Sequence, residues 1–292
     1  MKVTQMKYLN AICLSGFLTL LISGCEAQES ADTNTGYEDY SLVWADEFDN
    51  DGPPDPSNWT YEQGFVRNEE LQWYQDENAV CRDGKLVIEA RRERKPNPDY
   101  FSGSEDWRRN REYAEYTSSS LQTRGLHSWM FGRFEMRARI DTRAGLWPAF
   151  WTLGVAGNWP HNGEIDIMEY YAGKILANIA WGAEEKWQAV WDSYSVPLDA
   201  LKLKDSEWAQ NFHIWRMDWD EGSIKLYLDD ILLNSADLST TINRDAERKN
   251  PFLQPHYIIV NLAVGGTAGG NPSQTAFPAF YEIDYIRIYQ KK

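Results

Sequence analysis

The sequence predicts an all-β sandwich of two antiparallel sheets, and three features of the chain support that prediction. Short runs with a hydrophobic residue at every second position recur from about residue 42 onward. Gly, Asp and Asn interrupt these runs where hairpin turns are expected. Helical periodicity is weak, and only residues 198–210 could hold a short helix. We expect the sandwich to be closed by strands from both ends of the chain.

Individual strands follow from alternation combined with turn residues. The segments with this combination are residues 85–90, 131–140, 213–220, 224–228, 231–233, 257–264 and 281–289. The first follows an Asp83-Gly84 turn, and the third and fourth are separated by Glu221-Gly222. In residues 131–140 the charged side chains fall at alternate positions and therefore share one side. Residues 257–264 are almost continuously apolar, as expected of a strand covered on both faces.

The first 24 residues have the composition of an export signal. Lys2 and Lys7 precede an apolar run that is too short for a comfortable transmembrane helix. Small residues directly before Cys25 resemble the lipobox of bacterial lipoproteins. We expect residues 1–24 to be a lipoprotein signal peptide, Cys25 to be lipidated and residues 25–40 to be a flexible acidic tether. An ordinary secretory signal that contains a cysteine is the alternative.

These expectations place the protein in the bacterial cell envelope, at the outer membrane on its periplasmic or surface face. The lipid anchor would be its only contact with the membrane. Removal of residues 1–24 would leave Cys81 as the one cysteine besides Cys25, so no internal disulfide is expected. Residues 41–292 are long enough to bury a full core, and we expect them to form a single domain and a monomer.

Composition narrows the possible functions. The chain has 29 basic and 44 acidic side chains, a net charge of −15. Loss of two lysines with the signal would make this 27 − 44 = −17. No nucleic-acid partner is expected, because a polyanion requires a basic footprint. The chain also has 14 Trp residues, and each buried indole N–H needs a partner, so we expect some of them to line a groove.

Three acids lie close together in the segment after Trp159. On a strand, Glu164 and Asp166 share one face, and isoleucines occupy the other. Strict alternation would place Glu169 on the opposite face. A β-bulge near Met168 would return it to the face of the other two acids.

The spacing of these acids fits three interpretations. They could form a solvated polar face, a site for a divalent cation, or a pair of carboxyl groups that act on a glycosidic bond. Unpaired carboxylates are costly on an apolar strand, and Trp and Tyr residues surround these three, which favours a functional site. A nuclease or another metal-dependent hydrolase is disfavoured by the acidity and by the lack of His or Lys near the acids.

Several sequence blocks, in order, resemble family 16 of the glycoside hydrolases, which includes laminarinases, lichenases, agarases, carrageenases and endo-β-galactosidases. The blocks are Trp44-Ala-Asp-Glu-Phe48, Phe131-Gly-Arg-Phe-Glu135, Trp147-Pro-Ala-Phe-Trp151, Trp159-Pro160, Gly163-Glu-Ile-Asp-Ile-Met-Glu169, Asn261-Leu-Ala-Val-Gly-Gly266 and Asp284-Tyr-Ile-Arg-Ile-Tyr289. The resemblance covers about residues 41–290. It implies a β-jelly-roll sandwich of the concanavalin A-like lectin/glucanase type with an open cleft.

The resemblance also implies a retaining endo-β-glycosidase that needs no cofactor for catalysis. Glu164 matches the nucleophile, Asp166 a helper that holds Glu164, and Glu169 the general acid/base. The two neighbouring carboxylates are expected to raise the pKa of Glu169. Retention requires a separation of about 5–5.5 Å between the two carboxyl groups, so sheet curvature must bring them together.

The substrate is expected to be a polysaccharide with β-1,3 or β-1,4 linkages. A β-glucan such as laminarin is the favoured candidate. Sugar rings stack on aromatic side chains, and Asn68 matches a substrate-side Asn of many family members. The expected substrate-binding residues are Trp147, Trp151, Trp159, Trp181, Trp187, Trp191 and Asn68. We expect Trp44 and Trp219, on apolar strands, to lie in the core.

Three departures from the laminarinase-like pattern leave the sugar open. Ser120 stands where those enzymes often have a sugar-contacting Arg, Glu69 replaces an Asn, and Ala180 replaces a His. An endo-β-galactosidase that acts on galactan, or on host poly-N-acetyllactosamine or mucin-type glycans, is therefore the main alternative. A transglycosylase also stays open.

Two further expectations concern binding. A catalytically silent carbohydrate-binding protein on the same scaffold is the alternative from another class, although binding alone would not require the row of acids. Many family members also bind a structural calcium ion far from the groove, near the segments that match Glu47, Gly84 and Asp284.

Overall fold

Nineteen β-strands are the main secondary structure of the protein, in a computed structural model that describes residues 37–292. They are β1 (Tyr40–Asp46), β2 (Thr60–Tyr61), β3 (Gln72–Tyr74), β4 (Ala79–Arg82), β5 (Lys85–Ala90), β6 (Lys95–Pro96), β7 (Tyr113–Ala114), β8 (Tyr116–Ser118), β9 (Ser120–Gln122), β10 (Gly132–Arg139), β11 (Leu146–Gly154), β12 (Glu164–Tyr171), β13 (Lys174–Gly182), β14 (Ala189–Pro197), β15 (His213–Trp219), β16 (Ser223–Leu228), β17 (Ile231–Asp237), β18 (His256–Val264) and β19 (Ala279–Lys291). The helices are short: α1 (Leu198–Lys202), α2 (Gly266–Gly269) and 3-10 turns at Asp76–Asn78, Trp208–Gln210 and Leu238–Thr240.

Most of these strands form two antiparallel sheets. The eight-stranded sheet has the order β17-β16-β15-β10-β19-β5-β4, and β1 also pairs with β19. The seven-stranded sheet has the order β14-β13-β12-β11-β18-β9-β2. Two small sheets, β3-β8 and β6-β7, complete the arrangement. The all-β prediction is confirmed, and the pairing of β1 with β19 joins strands from both ends of the described chain.

The predicted signal peptide and Cys25 lie outside the described residues, as does most of the tether. Residues 39–292 form one compact unit. Among residues 37–292 no helix is long and apolar enough to cross a membrane.

Alternation sorts the side chains of the eight-stranded sheet into a core face and a charged face. On β10, Met136 packs into the core with no exposed surface, while the arginines at alternate positions form ion pairs with neighbouring strands. Arg133 Nε donates to Asp218 on β15 at 2.7 Å, and Arg139 Nε donates to Glu282 on β19 at 2.7 Å. The prediction that these charges share one side is consistent with these cross-strand pairs.

Side chains from both sheets meet in one apolar core. Phe150 on β11 and Trp215 on β15 are fully buried in it, and Trp219 is buried as expected. All nine residues of β18 are buried, which agrees with its almost continuous apolar sequence. The side of the seven-stranded sheet that faces away from this core carries the cleft described next.

Candidate active site

A cleft of about 760 Å³ lies on the seven-stranded sheet, with the strand of the three acids near its centre. Side chains from β11, β12, β13, β14 and β18 line it, together with the loop that precedes β3. The polar and aromatic residues that line it include Arg67, Asn68, Glu70, Trp147, Trp151, Trp159, Glu164, Asp166, Glu169, Asn178, Trp191, Tyr194 and Asn261.

A β-bulge aligns the three acids. Opposite β12, Phe150 pairs with Met168 but Trp151 pairs with Asp166, so Ile167 is one extra residue. Both Ile167 and Met168 therefore point into the core. Glu169 returns to the face of the other acids and lines the cleft with them. The predicted bulge is confirmed. It brings the three unevenly spaced acids onto one face of the sheet.

Indole N–H groups fix the two glutamates. Trp159 Nε1 donates to Glu164 Oε2 at 2.6 Å. Trp147 Nε1 donates to Glu169 Oε1 at 2.9 Å, and Asn178 Nδ2 donates to Glu169 Oε2 at 3.1 Å. Each carboxyl group is therefore oriented by a rigid neighbour, while Glu164 keeps its other oxygen for chemistry.

Asp166 has a different environment. It is 2% exposed, and its Oδ2 atom has no hydrogen-bond partner among the described residues. Burial, followed by the charges of Glu169 and Glu164, raises its pKa well above the ordinary aspartate value. A neutral Asp166 has an O–H that can donate a hydrogen bond to Glu164 within the row.

Burial also governs the pKa values of the two glutamates. It raises the pKa of Glu164 to about 7, with a further contribution from the charge of Glu169. The pKa of Glu169 is raised by burial, while the hydrogen bonds from Trp147 and Asn178 partly oppose that rise. The expected cause, repulsion by the other two acids, is therefore not the main one for Glu169. Because the three acids interact, they titrate together, and each pKa value describes the row and not a single residue.

Five of the seven predicted substrate-binding residues line this cleft. They are Asn68, Trp147, Trp151, Trp159 and Trp191. Trp191 is 46% exposed and shares the cleft with the half-exposed Tyr194, so this end offers open aromatic surface. Trp147 also makes an edge contact with Tyr171, with ring centroids 5.0 Å apart.

The prediction for Trp181 is wrong. Ala180 pairs with Glu164 and Asn178 pairs with Asp166, so the even-numbered residues of β13 share the cleft face. Trp181 therefore points the other way and is buried in the core.

Trp187 does not line this cleft either. It is 55% exposed and lines an adjoining cavity of about 310 Å³, to which Trp159 also contributes. Trp159 lines both spaces, so Trp187 lies next to the main cleft and its contact with substrate stays a prediction.

The sequence did not identify a network of polar residues at the other end of the cleft. Trp151 Nε1 donates to Asn261 Oδ1 at 2.8 Å, and Asn261 Nδ2 donates to the Tyr74 hydroxyl at 3.1 Å. Glu70 is buried there and its pKa is raised by that burial. Arg67, beside Asn68 in sequence, also contributes to this end; its proximity to a predicted site residue was the only available signal.

The residues expected near calcium are used in other contacts. Asp46, next to Glu47, pairs with Ile286, and Leu86 pairs with Ile283, so these segments meet along β19. However, Arg287 Nε donates to Glu47 at 2.7 Å and Arg137 Nη1 donates to Asp284 at 2.5 Å. Within residues 37–292, no group of three His, Cys, Asp or Glu side chains is arranged for a metal ion. The carboxylates of Glu47 and Asp284 are therefore paired with arginines, and a structural calcium ion near these segments stays a prediction.

Comparisons with known proteins agree with this geometry. The sequence profile of Glycosyl hydrolases family 16 matches residues 67–287. A beta-glucanase of Rhodothermus marinus is 35% identical, with 94% of both chains covered. The laminarinase catalytic domain of Thermotoga maritima is 32% identical with a TM-score of 0.72, over 87% of this chain and 100% of that one. A structure from work on endo-acting O-glycanases that human gut bacteria express to initiate mucin breakdown is 35% identical, with a TM-score of 0.79 over 88% and 92% of the two chains.

Proposed function

The chain belongs to family 16 of the glycosyl hydrolases, as an endo-acting, retaining glycoside hydrolase, and we propose that Glu164, Asp166 and Glu169 perform its catalysis. The observation that carries this proposal is the bulged strand. It presents the three acids together in an open cleft, each in a different hydrogen-bonding environment. A catalytically silent protein is not favoured, because sugar binding alone does not require this row.

The proposed reaction has two displacements. In the first, Glu169 donates its proton to the glycosidic oxygen while the Glu164 carboxylate attacks the anomeric carbon. The bond to the leaving sugar breaks, and a glycosyl ester of Glu164 forms. In the second, the Glu169 carboxylate takes a proton from water, whose oxygen displaces Glu164 from the same carbon. Two inversions give net retention.

The hydrogen bonds suit these roles. Trp159 holds one oxygen of Glu164, so the other can attack. A neutral Asp166 stabilises the Glu164 carboxylate when the ester breaks, because its O–H can donate a hydrogen bond to that carboxylate while Asp166 keeps its proton. Trp147 and Asn178 favour the ionised form of Glu169, which exists once it has protonated the leaving sugar.

We propose a β-glucan such as laminarin, with β-1,3 or β-1,4 linkages, as the substrate. The similarity to a beta-glucanase and a laminarinase supports this choice. The second candidate is an endo-β-galactosidase activity on galactan, poly-N-acetyllactosamine or mucin-type glycans. The similarity to the mucin-related O-glycanase structure supports it, as do Ser120 and Ala180, which depart from the laminarinase-like pattern.

A panel of polysaccharides tests the function. Laminarin, lichenan, agarose, carrageenan, keratan sulfate and mucin should be incubated with the protein and with Glu164→Gln, and product sizes measured. Large oligosaccharides from one substrate, absent with the variant, are expected. Cleavage by Glu164→Gln at the wild-type rate would remove Glu164 as the nucleophile, and cleavage of no substrate would contradict the enzymatic function.

We also propose that residues 1–24 are a lipoprotein signal peptide and that Cys25 carries the lipid of an envelope-anchored monomer. The sequence around Cys25 supports this proposal. Mass spectrometry of the mature N-terminal peptide should find a diacylglyceryl or triacylated cysteine. An unmodified peptide that begins elsewhere would contradict it.

A further inference from the structure

Arg67 occupies one end of the cleft in place of an open aromatic surface. Its guanidinium carbon lies 4.9 Å from the centroid of the Trp151 ring. Glu62 accepts hydrogen bonds from Arg67 Nη2, and Ser120 Oγ donates to the same carboxylate at 2.6 Å. The Glu62 carboxylate therefore fixes the guanidinium in place over the Trp151 ring.

This arrangement changes which group a sugar meets. Trp151 is only 8% exposed, and its N–H is bound to Asn261. The Arg67 side chain keeps 23% of its surface exposed and lines the cleft. A sugar at this end therefore contacts N–H donors, whereas the Trp191 end presents exposed aromatic rings.

The guanidinium has a donor to spare. Arg67 Nη1 is buried and has no hydrogen-bond partner among the described residues. An unmade hydrogen bond to a charged donor is unfavourable, so an acceptor oxygen supplied by a bound sugar would stabilise the complex.

The charge around Arg67 limits the kind of acceptor. Glu62 neutralises Arg67 directly, and the buried Glu70 lies near enough for Arg67 to lower its pKa. Arg67 also lowers the pKa of Glu164, which places it within electrostatic range of the acid row. A sulfate or carboxylate here would face several carboxyl groups and one neutralised cation, so an uncharged oxygen fits better.

We propose that Arg67 is a specificity-determining residue that binds an uncharged sugar oxygen, a hydroxyl or an N-acetyl carbonyl, at its end of the cleft. This inference rests on the proposed glycosidase function and assigns the chemistry of one subsite. The discrimination comes from a fixed guanidinium and not from stacking on Trp151.

The test compares Arg67→Lys with the double variant Glu62→Gln/Arg67→Met. The double variant removes both charges of the Arg67–Glu62 ion pair, so Glu62 is not left as a carboxylate without its cation and folding should be preserved. Arg94→Met is the matched control, since the Arg94 side chain is 62% exposed and is not among the cleft-lining residues. The probes are laminarihexaose and an N-acetyllactosamine hexasaccharide, the latter with and without 6-sulfation.

Binding is measured by calorimetry in the Glu164→Gln background, and kcat/KM is measured in active protein. We expect the double variant to lose about 30-fold in affinity and kcat/KM for the preferred uncharged probe, as for one lost hydrogen bond to a charged group, with less than about 3-fold change for the other. Arg67→Lys should recover only part of the loss, and Arg94→Met should behave as wild type. The preferred probe shows whether hydroxyl or N-acetyl oxygen is the acceptor.

Equal losses for both probes would make Arg67 a structural residue and overturn the proposal, as would tighter binding of the sulfated probe by wild type. Binding without turnover in active protein would refute the proposed function while the binding data still decide the role of Arg67.

Discussion

Glu164→Gln is expected to stabilise the folded protein at alkaline pH while it abolishes turnover. Burial raises the pKa of Glu164 from the ordinary value of 4.5 to about 7. A shift of roughly 2.5 pH units corresponds to about 3 kcal/mol, at about 1.36 kcal/mol for each unit. This is an upper value, because the three acids share their protons. Glutamine keeps an oxygen that can accept the indole N–H of Trp159.

The sign follows from where the proton resides. Between pH 4.5 and about 7, the folded protein retains a proton on Glu164 that the unfolded chain has already lost. The free energy of unfolding therefore falls as pH rises through this window, and the loss is complete above it. Glutamine does not titrate, so the variant escapes this loss.

The assay is urea unfolding followed by tryptophan fluorescence at intervals from pH 4 to pH 8.5. Glu164→Gln and wild type should have similar free energies of unfolding at pH 4. The variant should be more stable by about 1–3 kcal/mol at pH 8. Glu207→Gln, which changes an exposed glutamate, is the control and should follow wild type throughout.

Parallel curves for Glu164→Gln and wild type across the whole range would refute the reasoning. That result would mean that Glu164 is well solvated, and that burial does not set its proton balance. A variant less stable at pH 8 would point instead to a structural role for the charged carboxylate.

Other predictions follow from the same site. Glu169→Ala should lose most activity and regain part of it with azide on a substrate with a good leaving group, since the anion can attack the glycosyl ester of Glu164 without a base to activate it; no regain in a rate assay would weaken the acid/base role. Trp191→Ala should lower kcat/KM on long polysaccharides about 10-fold without changing Tm, whereas Trp181→Ala should destabilise the protein by about 3–5 kcal/mol in urea unfolding; the reverse pattern would contradict the orientation of β13. Trp187→Ala should weaken only substrates long enough to pass Trp159, as measured by kcat/KM against chain length. Cys25→Ser should release the protein from the membrane fraction in a fractionation assay, and retention there would contradict the lipid anchor.

Local sequence signals were sufficient for much of the fold. The turns around Gly222 and Asp230 predicted the hairpins of β15, β16 and β17. The uneven spacing of the acids predicted the bulge, because a functional row on one face requires it. These features depend on neighbours in sequence, which the sequence displays directly.

Other features depend on which strand pairs with which residue. Polarity suggested that Trp181 and Trp191 belong together, but Ala180 pairs with both Glu164 and Trp191, which leaves Trp181 on the other face. The role of Arg67 depends on a loop that folds over β11, and the pKa values depend on burial. Neither has a periodic signature. The sequence showed that Ser120 stands where related enzymes often have an arginine. It did not show that Ser120 and Arg67, from different segments, both donate hydrogen bonds to Glu62.

The 13-residue strand β19 has a consequence for biosynthesis. It lies between β10 on one side and β1 and β5 on the other, and β18 similarly joins β11 to β9. A nascent chain that has not yet produced residues 256–291 leaves both sheets with open, apolar strand edges. Neither sheet can be completed during most of translation, so the chain depends on late, long-range pairing and is prone to aggregate until it occurs. A chain truncated before β18 is therefore expected not to fold at all, because neither sheet could be completed.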